Sequence, residues 1–236
     1  MSLVAMTKQR LKRRDTALIR GLYRLAREIQ HFDVPPVKPF FLAVHSLLSS
    51  VMGMLTYLQQ ILYWKPLFIS HLRNRPRKLQ YDGRGFPQIL GPLEMTFGDN
   101  CRINAQTSFC GRSNGHVKPR LTVGNNVGIS WRTGIYVGRE IIIGNNVRIG
   151  GEGSLVGYPG HPLDARDRAA GLPDSDDQAK TIILEDDVWL ARGVIVNGGV
   201  TIGRGTIVAA GSVVTKDLPP GVLAGGVPCK VIRKLP

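Results

Sequence analysis

The sequence predicts a mainly β chain in which short parallel strands wind into a triangular column, preceded by an N-terminal α-helical extension. Three observations predict it. Aliphatic residues recur at every sixth position over a long stretch, Gly residues and Asn-Asn pairs punctuate that repeat, and the first third of the chain differs in composition from the rest.

The repeat is clearest between Ile182 and Val214. Leu184, Leu190, Val196, Ile202, Val208 and Val214 are all aliphatic, and two positions before each stand Ile182, Val188, Val194, Val200, Thr206 and Ser212. Neither series contains a charge. A period of six fits neither a helix nor one long alternating strand. It fits a short strand with two inward side chains, followed by small or polar residues that turn the chain by a third of a circle. The same register occurs at Val123, Ile129 and Ile135, at Ile143, Ile149 and Leu155, and more weakly at Phe97, Ile103 and Phe109. Grouped in threes, these positions predict about five coils. Gly124, Gly144, Gly150 and Gly203, with the Asn pairs at 125–126 and 145–146, are expected at the corners because Gly and Asn tolerate positive φ. Each buried aliphatic side chain contributes about 1.5–3 kcal/mol, so a charge at Ile202 is expected to break the column.

The helical extension is expected over residues 1–80 and the column over residues 81–236. Of the formal net charge of +14, most lies in the first 80 residues, which hold 14 Lys and Arg against three Asp and Glu. Leu11, Leu18, Leu22, Leu25 and Ile29 fall at helical spacing, with Arg13, Arg14, Arg20, Arg24 and Arg27 on the wider flank, which describes a basic amphipathic helix. From Pro39 to Trp64 there is no charged residue. That run is long enough to cross a bilayer, but Ser46, Ser49, Ser50, Thr56, Gln59 and Gln60 make it a poor lipid-facing span. Two readings stay open: a helical pair buried in an oligomer, or a monotopic anchor on an anionic membrane surface. Nucleic acid is not an expected partner, since no recognition-helix pattern or aromatic stacking platform accompanies the basic residues.

Cys101, Cys110 and Cys229 are odd in number and lack a metal-ligand spacing, so neither a disulfide framework nor a metal site is expected. The start MSLVAMTKQRLKRRD has no apolar run of the kind an export signal needs. A cytoplasmic location is expected, peripheral at the inner face of the membrane if the extension binds lipid.

The repeat breaks once in a way that suggests chemistry. Leu155 should be followed by an inward residue at position 161, which is His161, and the register resumes only at Ile182. The segment at about 159–181 is therefore expected to leave the column as a loop, and loops on rigid scaffolds commonly carry function. Imidazole is the side chain suited to accept a proton from a hydroxyl near neutral pH.

Four stretches, GHPLDARDR at 160–168, DDVWLARGVIVNGGVTIG at 186–203, AAGSVVTKDLPPGV at 209–222 and GVPCKVIRK at 226–234, carry a family likeness. From Tyr81 to Pro236 the chain resembles the hexapeptide-repeat acetyltransferases, whose fold is a left-handed parallel β-helix, and most of all their sugar O-acetyltransferase branch. The first 80 residues instead look like the longer leader of some polysaccharide-linked members. The resemblance implies acetyl-CoA as donor, a homotrimer with sites shared between neighbouring copies, and a saccharide or glycolipid acceptor. It implies His161 as the general base, and an oxyanion held by backbone N–H in the coil of Arg192 and Gly193. Ala210 would lie along the pantetheine arm, Thr215 and Lys216 near the adenine and phosphate end, and Lys230 and Arg233 at the phosphates, where cations favour charge-assisted hydrogen bonds. Trp189 would line the groove. Two departures fall on the acceptor side: Arg192 replaces a small polar residue, and Arg132 and Thr133 are the nearest positions to an Asn that holds the sugar.

The leading expectation is thus a CoA-dependent O-acetyltransferase acting on a saccharide or lipid-linked glycan. A sugar-nucleotide N-acetyltransferase on the same fold and a non-catalytic membrane scaffold are the alternatives. A carbonic anhydrase on this fold needs three His ligands, and the column offers only His116 and His161.

Overall fold

The computed structural model describes residues 17–236, so the expectations for Leu11, Arg13 and Arg14 lie outside the described residues. The chain divides into two compact units at Met52 and Gly53. In the first, α1 (Ala17–Gln30) has Leu18, Leu22, Leu25 and Ile29 exposed. The uncharged run forms α2 (Lys38–Gln59), in which no residue is buried. With the π-helical turn Gln60–Trp64 and α3 (Lys65–Ser70) it makes a helical run of 33 residues, long and apolar enough to cross a membrane by length and composition.

In the second unit the strands form about six coils. The first coil is β1 (Gln80–Asp82), β2 (Gln88–Leu90) and β3 (Glu94–Phe97); the second is β4 (Arg102–Asn104), β5 (Ser108–Gly111) and β6 (Arg120–Val123). The third is β7 (Gly128–Ile129), β8 (Gly134–Val137) and β9 (Glu140–Ile143), and the fourth β10 (Arg148–Ile149), β11 (Ser154–Val156) and β12 (Ile182–Leu184). Then come β13 (Trp189–Leu190), β14 (Ile195–Asn197) and β15 (Thr201–Ile202), followed by β16 (Ile207–Val208) and β17 (Val213–Val214). The chain ends with β18 (Val222–Gly225) and β19 (Lys230–Lys234).

Each strand pairs in parallel with the strand one coil away, giving three faces. Face one runs β1-β4-β7-β10-β13-β16-β18 and ends in the antiparallel β19; face two runs from β2 to β17, and face three from β3 to β15. The inward rows follow the register: Ile103, Ile129, Ile149, Leu190 and Val208 are aligned on face one, and Phe109, Ile135, Leu155, Val196 and Val214 on face two. All are buried. Thr206 and Ser212, the two polar members of the inner series, satisfy their hydroxyls on backbone oxygens of Pro219 and Ala209, each at 2.7 Å.

The sixth coil is the first one. Its inward residues Tyr81, Ile89 and Phe97 are spaced by eight, because longer corners separate its strands, and a six-residue register that reaches Phe97 passes over Tyr81 and Ile89. The column is also closed by what precedes it. Phe68 of α3 is fully buried, with ring centroids 5.7 Å from Phe97, 5.8 Å from Phe109 and 6.1 Å from Tyr81. The first strand begins at Gln80, and the end of the helical run belongs to the same compact unit as the strands.

The corners differ from expectation in their physical cause. Positive φ falls on the second Asn of each pair, Asn126 and Asn146, and not on Gly124 or Gly144. These glycines stand where coils touch: a Cβ on Gly124 would lie 2.7 Å from the Gly144 carbonyl carbon, and one on Gly144 2.7 Å from the Asp186 nitrogen. The Asn side chains form a ladder up the same edge, Asn126 to Asn146 at 2.8 Å and Asn146 to Asp187 at 2.9 Å.

Candidate active site

The insert leaves the column between β11 and β12, at the edge joining faces two and three. Asp164 caps α4 (Ala165–Ala169), its carboxylate accepting from the backbone N–H of Arg166 at 2.7 Å. Gly160, at φ +79°, turns the chain just before His161. Pro162 is buried and His161 exposed, so the turn roots the loop through the proline and presents the imidazole outward. His161 makes no side-chain hydrogen bond or ion pair among the described residues.

A second loop holds the insert in place. Between β5 and β6, Arg112 reaches across to it: Nε donates to both carboxylate oxygens of Asp174 at 3.1 Å, and a terminal nitrogen donates to the Asp174 backbone oxygen at 2.6 Å. The other terminal nitrogen pairs with Asp176, and Asn114 donates to Asp174 at 3.0 Å. Side-chain exposure of Arg112 and Asp174 is only 3% and 1%. The Arg112 hydrogen bond holds the Asp176 carboxyl below the usual carboxylate range. Sequence reasoning missed this clamp. Its one local signal was an Arg flanked by Gly and Ser in a loop opposite an acidic run.

Most of the other expected site residues sort to the borders of face two. Thr215 and Lys216 follow β17 and lie exposed on the same edge as the insert. Arg132, Thr133, Arg192, Gly193 and Ala210 lie on the opposite edge, between faces one and two. Thr215 is five residues beyond Ala210, which spans on the order of 15 Å at roughly 3.3 Å per residue. One chain therefore does not bring its two sets together. Lys230 and Arg233 are exposed on β19, and Trp189 is exposed on β13.

One expected role does not fit this geometry, and another narrows to a single residue. Thr133 is buried and its hydroxyl donates to the Ser130 backbone oxygen at 2.7 Å, so it has no face toward an acceptor. The Gly193 N–H donates to the Gly151 oxygen at 2.9 Å, which leaves the Arg192 N–H as that turn's donor without a backbone partner among the described residues. The Arg132 and Arg192 departures converge on Trp131: their guanidinium carbons lie 5.0 and 5.8 Å from its ring centre, and Arg192 pairs with Glu152 at 2.7 Å.

Comparison with known proteins agrees with this architecture. The bacterial transferase hexapeptide (six repeats) family matches residues 181–216. The chain is 35% identical to galactoside O-acetyltransferase of Escherichia coli over 148 residues, 62% of this chain and 67% of that protein. It is likewise 35% identical to galactoside O-acetyltransferase of Lactococcus lactis over 150 residues, 63% of this chain and 67% of that protein. AntD, an N-acyltransferase from Bacillus cereus, shares the fold at 17% identity, with a TM-score of 0.55 over 73% of this chain and 88% of that one. By repeat, coil architecture and identity to these relatives, the chain belongs to the hexapeptide-repeat acetyltransferases, in their sugar O-acetyltransferase branch.

Proposed function

We propose that the protein transfers an acetyl group from acetyl-CoA to a hydroxyl of a saccharide or lipid-linked glycan, with His161 as general base. The observation that carries this reading is the placement of His161: an exposed imidazole on a loop fixed by a buried ion pair, on the edge that also holds Thr215 and Lys216. The imidazole accepts the hydroxyl proton while the acceptor oxygen attacks the thioester carbonyl. The tetrahedral oxyanion takes a hydrogen bond from the Arg192 N–H, and collapse expels CoA thiolate, which recovers the proton from the imidazolium. Lys216, Lys230 and Arg233 supply cations for CoA phosphates, Ala210 leaves room for the pantetheine arm, and Trp189 borders the groove.

Because His161 and the Arg192–Ala210 set occupy different edges, a complete site needs the edge of one copy against the other edge of the next. A homotrimer closes this arrangement with three equivalent sites. The basic α1 and the uncharged helical run suit the anionic inner face of the cytoplasmic membrane.

The test is His161→Ala in the full-length protein. Acetyl transfer is expected to fall by at least a thousandfold with acetyl-CoA affinity changed less than threefold; an equal loss of CoA binding defeats the general-base role. Co-sedimentation with phosphatidylglycerol vesicles but not phosphatidylcholine vesicles tests the membrane reading.

A further inference from the structure

A groove of about 350 Å³ runs across face one, within the range of roughly 300–1,000 Å³ usual for small-molecule sites. Its shape follows from the register. Arg102, Gly128, Arg148 and Trp189 are aligned on β4, β7, β10 and β13, so the missing side chain at Gly128 lets the Arg148 stem lie low between Arg102 and Trp189. Trp131 forms the wall toward face two, and Asp82 lies at the far end.

The walls are held in place. The Trp131 indole lies against Gly151, where a Cβ would come 2.5 Å from its Nε1. Arg148 lays its stem over Gly128, its Cδ 3.3 Å from a Cβ position there, and donates to the Asn126 backbone and, at 3.2 Å, to the Asn126 side chain. Trp131 and Trp189 nevertheless remain 39% and 50% exposed. Arg102, Arg132 and Arg148 have no carboxylate partner among the described residues. Exposed indoles beside unneutralised guanidiniums suit a ligand with apolar C–H faces and negative charge: a sugar ring bearing phosphate or carboxylate.

We propose that the acceptor is an anionic saccharide, bound along this groove by Trp131 and Trp189 and by charge contacts from Arg102 and Arg148. The proposal rests on the acetyltransferase reading and names the substrate class of that site. Neutral sugars would use the same indoles and lose the arginine contacts.

Calorimetry on the full-length protein compares two matched pairs of probes, tetragalacturonate with maltotetraose and glucose 1-phosphate with glucose. At least one anionic probe is expected to bind tenfold or more tightly than its neutral counterpart, and to weaken as NaCl rises. The pair that shows the preference separates a carboxylate from a phosphate acceptor. The double variant R102M/R148M keeps both stems and is expected to reduce that preference below threefold. Equal binding within both pairs, salt-independent binding, or a preference that survives in the double variant overturns the proposal. These readouts need no turnover, so they judge the groove even if acetyl transfer fails. Conversely, transfer to maltotetraose with no anionic preference defeats the groove proposal and leaves the acetyltransferase reading standing.

Discussion

Arg112 and Asp174, 62 residues apart, are joined by a fork of hydrogen bonds buried between two loops. Removing one member of a buried ion pair strands the other, which typically costs about 3–5 kcal/mol. The pair holds the insert that carries His161, so under the proposed general-base role a packing contact bears on catalysis.

Arg112→Met is therefore expected to lower kcat by at least tenfold while leaving KM for acetyl-CoA within twofold. Limited proteolysis should cut residues 159–181 faster, and Arg112→Lys should restore activity only in part because it lacks the planar fork. Steady-state kinetics and mass mapping of the cleavage sites check this.

Acid should loosen the same loop. Asp176 has its folded pKa depressed by Arg112, so its contribution is fully present above its unfolded pKa, about 3.9, and is lost as pH falls through the lower folded value. Proteolysis by pepsin within the insert is expected to accelerate below about pH 4, and less so in Asp176→Asn, whose side chain no longer titrates.

The corner glycines offer a test between two physical causes. If φ were the constraint at Gly144, alanine would be tolerated, since φ there is not positive. Because the next coil's backbone occupies the Cβ position, Gly144→Ala is expected to destabilise by about 1–3 kcal/mol. Urea unfolding followed by circular dichroism measures it.

Phe68→Ala is expected to cost about 3–5 kcal/mol, as large-to-small changes at buried aromatics do. A change below 1 kcal/mol in the same unfolding assay would mean that the ring does not stabilise the column.

Much of this was readable in the residues, and the limits have physical causes. The aliphatic register from Leu184 to Val214 specified the faces because each coil repeats one local geometry. The exit of His161 from the column was legible because a polar residue stood where an inward aliphatic was due. The first coil escaped as a coil because Tyr81 and Ile89 lie off the six-residue register that reaches Phe97. Arg112 and Asp174 escaped because nothing local in either loop specifies a partner so distant in sequence. Corner glycines were located correctly but explained by φ alone, since contact between coils exists only after they stack.

The ring of Phe68, with Arg73 N–H bonded to the Met95 oxygen at 2.9 Å, also covers one end of the column. A solenoid with a bare terminus offers hydrogen-bonding strand edges on which further chains could polymerise. Covering that mouth with an aromatic side chain and pairing one rung of β3 leaves fewer such groups open at this end of the column.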